Sequence, residues 1–321
     1  MADKPDRTER GAERVPTPAH PSERCIELPW CRPKAEIEDP SVPERIARIM
    51  EDPSYRQADQ DVAFLNHDDT RGLRLQLDYL KPESLMEKHG ITHSIVVFGS
   101  TRIAEPRAAQ RRVDELSATF AAAPGDAGLA RDLSIARRVL AKSHYYEVAR
   151  DFARLVGAAE GPHGSRLVVV TGGGPGIMEA ANRGAHETGA RTIGLNITLP
   201  REQYPNPYIT PGLCFRFHYF GLRKLHFLMR ARALVVFPGG YGTLDELFET
   251  LTLIQTRKIT PVPVILVGEA YWRKVFDPEF LVEEGVIDPE DRELFWYAET
   301  AEDIWADILR WYELAGRSLT A

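Results

Sequence analysis

Cysteine is scarce in this chain: there are three among 321 residues, Cys25, Cys31 and Cys214. An odd count without framework spacing argues against a disulfide-stapled secreted scaffold. With no Cys/His pair near Cys25 and Cys31, a zinc site is not expected there. Long apolar runs are missing as well. None approaches the ~18–20 residues that a membrane helix needs, so no membrane contact is expected. The opening segment "MADKPDRTERGAERVPTPAHPSER" holds no hydrophobic region of the signal-peptide kind, and a cytoplasmic location is the expectation. Positive charge is not in excess. A formal net charge of −7 argues against nucleic acid as a partner, although a local basic pocket stays open. Two nucleotide signatures are also absent. Without GxxxxGK[ST] there is no Walker A loop, and without GxGxxG a dinucleotide site is not expected.

What is present is an ordinary soluble composition. With 43% hydrophobic residues, a chain of this length can bury a large core unaided by disulfides. Residues 1–40, rich in Pro, Arg and Glu, read as a loosely attached tail. Residues 41–93 read as a helical extension. It includes "VPERIARIME" and a segment whose leucines, Leu73, Leu75, Leu77 and Leu80, suggest helices packed onto the main domain. From residue 94 to 321, continuous apolar strands alternate with helices: "SIVVFGS", "RLVVVTGGG", "RTIGLNITLP", "CFRF", "ALVVFPGG", "VPVILVG" and "FWYAET". This alternation predicts an α/β fold, a doubly wound Rossmann-like parallel sheet. Ligands in such sheets bind at the carboxyl ends of the strands.

Three strand ends carry glycine: Gly99, then Gly172, Gly173, Gly174 and Gly176, then Gly239, Gly240 and Gly242. They are expected to converge on one crevice. Each could be a tight turn and nothing more. Together they suit an anion, because glycine lets backbone amides approach a ligand and a helix start adds a positive dipole end. Glu246 has two readings. Thr243 and Glu246 match a capping box, in which both residues serve the helix end. Alternatively, Glu246 points into the crevice as a catalytic carboxylate. Asp245 reads as a helix N-terminal charge, Asn182 as a helix surface residue, and His218 and Tyr219 as part of an aromatic core strand. The arginine-rich helices near 131–154 read as a solvated or subunit-contact face.

Pro238, Gly239, Gly240, Gly242, Thr243 and Glu246 resemble, position by position, the PGGxGTxxE motif of the LOG ("Lonely Guy") family. Arg223-Lys224 is similar to the family's Arg-Lys pair, and the Gly172–Met178 segment to its glycine loop. The resemblance covers about residues 94 to 270. The N-terminal part and the insertion at 104–160 look like a longer bacterial branch. The resemblance implies hydrolysis of the N-glycosidic bond of a nucleoside 5'-monophosphate, AMP or a cytokinin riboside monophosphate, without metal or cofactor. It implies Arg223 and Glu246 as catalytic residues. Substrate would be held by Gly99, Ser100, Arg102, Gly173, Gly174, Gly176, Met178, Glu179, Lys224, Gly239, Gly240, Gly242 and Thr243. A homodimer or larger homo-oligomer is implied too. A non-catalytic nucleotide carrier using the same crevice is the alternative. Members of the family also bear the label "lysine decarboxylase-like", for which Lys224 would have to serve as a Schiff-base lysine. Beside Arg223 it reads instead as a structural or phosphate-side charge.

Overall fold

The computed structural model describes residues 18–24, 26–28, 31–159, 167–200 and 204–320. Of the expected tail, residues 1–17, 25, 29 and 30 lie outside the described residues, Cys25 among them. The chain divides into two compact units, Met1–Thr70 and Arg71–Ala321. In the first, helix α1 (Val42–Glu51) carries Pro43 in its opening turn, where a missing N–H costs little. Helix α2 (Val62–Leu65) is capped by Asp61, whose carboxylate accepts from the Phe64 amide at 3.1 Å.

The second unit runs α3 (Arg71–Lys88), β1 (His93–Phe98), α4 (Pro106–Ala122), α5 (Ala127–Lys142), α6 (His144–Ala158), β2 (Leu167–Thr171), α7 (Ile177–Glu187), β3 (Thr192–Ile197), β4 (Cys214–Phe217), α8 (Phe220–Met229), β5 (Ala231–Val236), α9 (Tyr241–Gln255), β6 (Val264–Val267), α10 (Glu269–Val275), α11 (Pro278–Glu283), β7 (Trp296–Ala298) and α12 (Ala301–Leu314). This unit begins at α3, ahead of residue 94. The leucines at 73, 75, 77 and 80 do not form its packing face, being 38–50% exposed. The helix is held further along, by Met86 buried in the core with Leu85 packed against it and by polar contacts. Asp78 accepts from the His218 and Tyr219 amides, and the Arg230 guanidinium donates to both oxygens of Glu83.

All seven strands are parallel, in the order β4-β3-β2-β1-β5-β6-β7. The sheet is buried on both faces because successive strand residues point to opposite sides. Ile95, Val97, Val169, Val235 and Val267 pack under α6, α7 and α12. Val96, Phe98, Val170, Leu234 and Leu266 pack under α3, α8, α9 and α10. Helices α4 and α5 pair over a small cluster of their own around Val113, Leu116, Leu133 and Ala136. The chain winds outward from β1 to β4, then restarts at β5 on the other side of β1. The switch point of this doubly wound sheet therefore lies between β1 and β5, where the crevice is expected. Among the described residues, no helix is long and apolar enough to cross a membrane.

Candidate active site

The three glycine strand ends meet. The Ser100 amide, just past β1, donates to the Pro238 carbonyl past β5 at 3.0 Å, and the Ile177 amide of α7 donates to the Ser100 carbonyl at 3.2 Å. Gly176 has φ +73°, and a Cβ there would collide with the Ser100 carbonyl. Only glycine lets α7 start against the β1 loop. Beside this junction lies a cavity of about 590 Å³, a size that suits a nucleotide-sized ligand. Gly99, Ser100, Arg102, Met178, Arg223, Gly240, Gly242, Thr243 and Glu246 line it.

Six other candidates are not in its wall. The Gly173 and Gly174 carbonyls are occupied by Asn206, which donates its amide to the first and its Nδ2 to the second. Gly176 is taken up by the junction just described. Gly239 packs against the Thr243 side chain, and its carbonyl accepts from the Tyr271 hydroxyl. Glu179 accepts from the Tyr146 hydroxyl of α6 at 2.9 Å. Lys224 pairs with Asp245 at 2.8 Å and with Glu249 at 3.3 Å.

Four readings of neighbouring residues change. Thr243 does not cap a helix. Helix α9 already begins at Tyr241, with Gly240 at its N-cap and no side-chain cap bond, so no capping box forms. Its first intrahelical bond runs from the Leu244 amide to the Gly240 carbonyl. The amides of Tyr241, Gly242 and Thr243 thus stand at the positive end of the helix without intrahelical acceptors, which is the arrangement that binds phosphate. Asn182 is not on a surface but completely buried. It accepts from Thr171 Oγ1 and Asn206 Nδ2 and donates to Thr192 Oγ1 and the Ile193 carbonyl. These partners come from three other segments and hold the β2 loop in place. His218 is exposed, and Tyr219 is half-buried outside the core; neither lines the cavity. Part of the arginine-rich face is committed within the protomer, since Arg150 and Arg154 both pair with Glu187.

Glu246 sits one turn into α9, 7% exposed, in the cavity wall. Burial pushes its carboxyl up to about 7, against the opposing pull of Arg223 and Lys224. Arg223 is partly buried, and its loss of solvent lowers its pKa while Glu246 pulls it back up. Its Nε donates to the Leu195 carbonyl at 2.8 Å, and its guanidinium lies 5.2 Å from the Phe227 ring. It reaches this place across Gly172, where a Cβ would come within 2.7 Å of Arg223 Nη2 and 2.8 Å of Met178 Sδ. The result is a buried carboxyl beside a partly buried guanidinium, one turn beyond an anion-binding helix start. Such perturbed pairs in clefts mark functional sites.

Several lining residues escaped the reading of the sequence: Thr101, Asn196, Ile197, Leu199, Phe220 and Tyr241. Two had a signal. Tyr241 occupies the variable place in PGGxGT. Asn196 is a lone polar residue near the carboxyl end of an apolar strand. Among the described residues, no group of three or more metal-ligating side chains occurs.

Comparison with known proteins gives three findings. A family model described as "possible lysine decarboxylase" matches residues 178–308. Among curated proteins, the chain is 32% identical over 140 residues to a probable cytokinin riboside 5'-monophosphate phosphoribohydrolase of Oryza sativa subsp. japonica. That match covers 43% of this chain and 56% of the relative, so the chain spans little more than half of that protein's length. A second rice protein with the same description is 30% identical over 167 residues, covering 51% of this chain and 75% of the relative. Among solved structures, a molybdenum cofactor binding protein from Rippkaea orientalis matches with a TM-score of 0.36 and 22% identity, over 51% of this chain and 85% of that one. So loose a superposition adds nothing to the topology described above.

Proposed function

The chain belongs to the LOG family, and from that premise we propose that it hydrolyses the N-glycosidic bond of a nucleoside 5'-monophosphate, yielding a free base and ribose 5-phosphate. The observation that carries this reading is Glu246, a carboxyl in the cavity wall with its pKa pushed up to about 7. The amides of Tyr241, Gly242 and Thr243 hold the 5'-phosphate at the start of α9. This sets the ribose one helical turn further in, beside Glu246. As the bond from C1' to the base nitrogen breaks, its electron pair leaves with the base and positive charge develops on the ribose ring, as in glycoside hydrolysis. The Glu246 carboxylate stabilises that charge, and it accepts a proton from the water that adds to C1'. A pKa close to ambient pH suits a group that must take up a proton and then release it.

Arg223 does not donate a proton, because a guanidinium keeps its own at any working pH. Its charge balances the electron density arriving on the base. A decarboxylase reading finds no support in Lys224, which is ion-paired to two carboxylates and absent from the cavity wall. The test is to incubate the protein with AMP, GMP, CMP and isopentenyladenosine monophosphate and to measure free base. Release from at least one is expected, and Glu246→Gln should abolish it while AMP still binds. If no base appears from any of the four, the protein is a nucleotide carrier or something else.

A further inference from the structure

We propose that Asn196 reads the edge of the departing base and selects a 6-aminopurine; this inference rests on the phosphoribohydrolase reading above. Asn196 is the penultimate residue of β3, 8% exposed, between the buried Leu195 and Ile197, and it lines the cavity. Its carboxamide can make four hydrogen bonds. The protein supplies one, from Nδ2 to Cys214 Sγ at 3.5 Å, which is long and uses a weak acceptor. The other buried amides of this fold behave differently. Asn182 makes four bonds, and Asn206 Nδ2 donates to both the Gly174 carbonyl and Asn182 Oδ1. Where a buried amide serves structure, this molecule satisfies it. Asn196, with one weak bond of its own, keeps donor and acceptor capacity at the cavity wall, where a ligand can use it.

Its place along the crevice indicates which part of the ligand it meets. The phosphate end lies over β5, and Asn196 lies over β3, three strands away in the sheet order. At a strand spacing of ~4.8 Å this is roughly 14 Å, comparable with the reach of an extended nucleoside monophosphate. Arg223 lines the same cavity, its Nε bonded to the carbonyl of Leu195, the residue before Asn196. A carboxamide offers one donor and one acceptor side by side. Adenine matches it with N7 and the N6 hydrogen, whereas a 6-oxopurine presents two acceptors there. A pyrimidine lacks the ring that carries N7. During cleavage the electron pair of the C1'–N9 bond passes into the purine. Hydrogen bonding from Asn196 Nδ2 to N7 stabilises it, the proton staying on Asn196. Water supplies hydroxyl to C1' and a proton to Glu246, and the base is then protonated from solvent.

The experiment compares kcat/KM for AMP and GMP in the wild type, Asn196→Ala and Asn196→Asp, with circular dichroism and melting curves confirming the fold of each. The wild type should prefer AMP. Both variants should lose AMP turnover by on the order of 10–100-fold, the worth of one bidentate base contact, with GMP turnover little changed. In a Glu246→Gln background, AMP should bind more tightly than 7-deaza-AMP, and Asn196→Ala should erase the difference. An AMP/GMP ratio that is unchanged in folded variants, or a wild-type preference for GMP, overturns the role of Asn196 and leaves the hydrolase standing. A wild type that releases no base from any monophosphate overturns the hydrolase itself, and this inference with it.

Discussion

Glu187 closes α7 on the outer face of the domain, and Glu246 opens into the crevice from α9; each has arginine nearby, and their pKa values move in opposite directions. Glu187 is pulled down to about 2, first by hydrogen bonds from Arg150 and then by those from Arg154, which together outweigh its burial. Arg183 Nε donates to it as well. Glu246 is pushed up to about 7 because burial outweighs the charges of Arg223 and Lys224. Arg223 spends its Nε on the Leu195 carbonyl. The presence of a cation therefore does not set the direction. What sets it is whether that cation's N–H groups are aimed at the carboxylate in place of the water it has lost. One region uses arginine to hold two helices together, and the other keeps a carboxylate under-solvated beside a cavity.

The largest expected effect comes from removing the strained member of this pair. A carboxyl at 4.5 in the unfolded chain and about 7 in the folded one binds its proton more tightly when folded. Ionising it works against folding, so its contribution declines as pH rises from the unfolded toward the folded value, and stays low above it. A shift of that size corresponds to about 3 kcal/mol. Glu246→Gln should accordingly be more stable than wild type by roughly 2–3 kcal/mol at pH 8, and close to equal at pH 4.5. Urea unfolding at the two pH values checks this. The same titration should appear in the wild-type rate, with kcat/KM for AMP climbing through about pH 7 as the carboxylate forms. A variant with no gain at pH 8 would remove the basis for treating Glu246 as held against its solvation.

Glu187→Gln should do the reverse on a smaller scale. Its folded pKa is depressed, so its stabilisation is complete above the unfolded value of 4.5 and disappears as pH falls toward 2. The side chain remains 27% exposed, and solvent screening reduces the return to about 1–2 kcal/mol at pH 7. The expected outcome is a lower midpoint in urea at pH 7, a difference that shrinks toward pH 3, and unchanged turnover. Equal losses at both pH values would mean that packing between α6 and α7, and not the arginine cluster, is what was disturbed.

The sheet was legible because its strands are local signals: continuous apolar runs that end in glycine. The meeting of the Gly99, Gly172 and Gly239 loops followed from the topology of such sheets. Partner choice was much less legible. Asn182 looks like a polar position on an amphipathic helix, and only Thr171, Thr192 and Asn206, all distant in sequence, make it a buried hub. The pattern Thr243 to Glu246 satisfies a capping rule, yet the helix takes in Tyr241 and Gly242 first and leaves Thr243 facing the cavity. Leu73, Leu77 and Leu80 have helical spacing but stay exposed, because α3 docks through its later residues, Leu85 and Met86 in the core and Asp78 and Glu83 in polar contacts. Asn196 had no motif to announce it. In each case periodicity describes the element correctly, and a non-local partner decides what the side chain does.

The finest change moves the arginine without altering either charge. Gly172→Ala introduces a Cβ that meets Arg223 Nη2 and Met178 Sδ, both ends of flexible side chains. Those ends can give way, so the cost in stability should stay within about 1 kcal/mol, as for substitutions that neither open a cavity nor strand a polar group. Arg223 should be displaced from its place beside Leu195. Its charge is the largest influence pulling the Glu246 pKa down against burial, and weakening it should carry the pKa still higher. The acidic limb of kcat/KM for AMP should therefore shift upward from about pH 7, together with a loss of roughly 10-fold at the plateau, a typical cost of misplacing one catalytic contact. A limb that stays at its wild-type pH while the plateau falls would mean that Arg223 acts on the base alone and exerts no counter-pull on the raised pKa of Glu246.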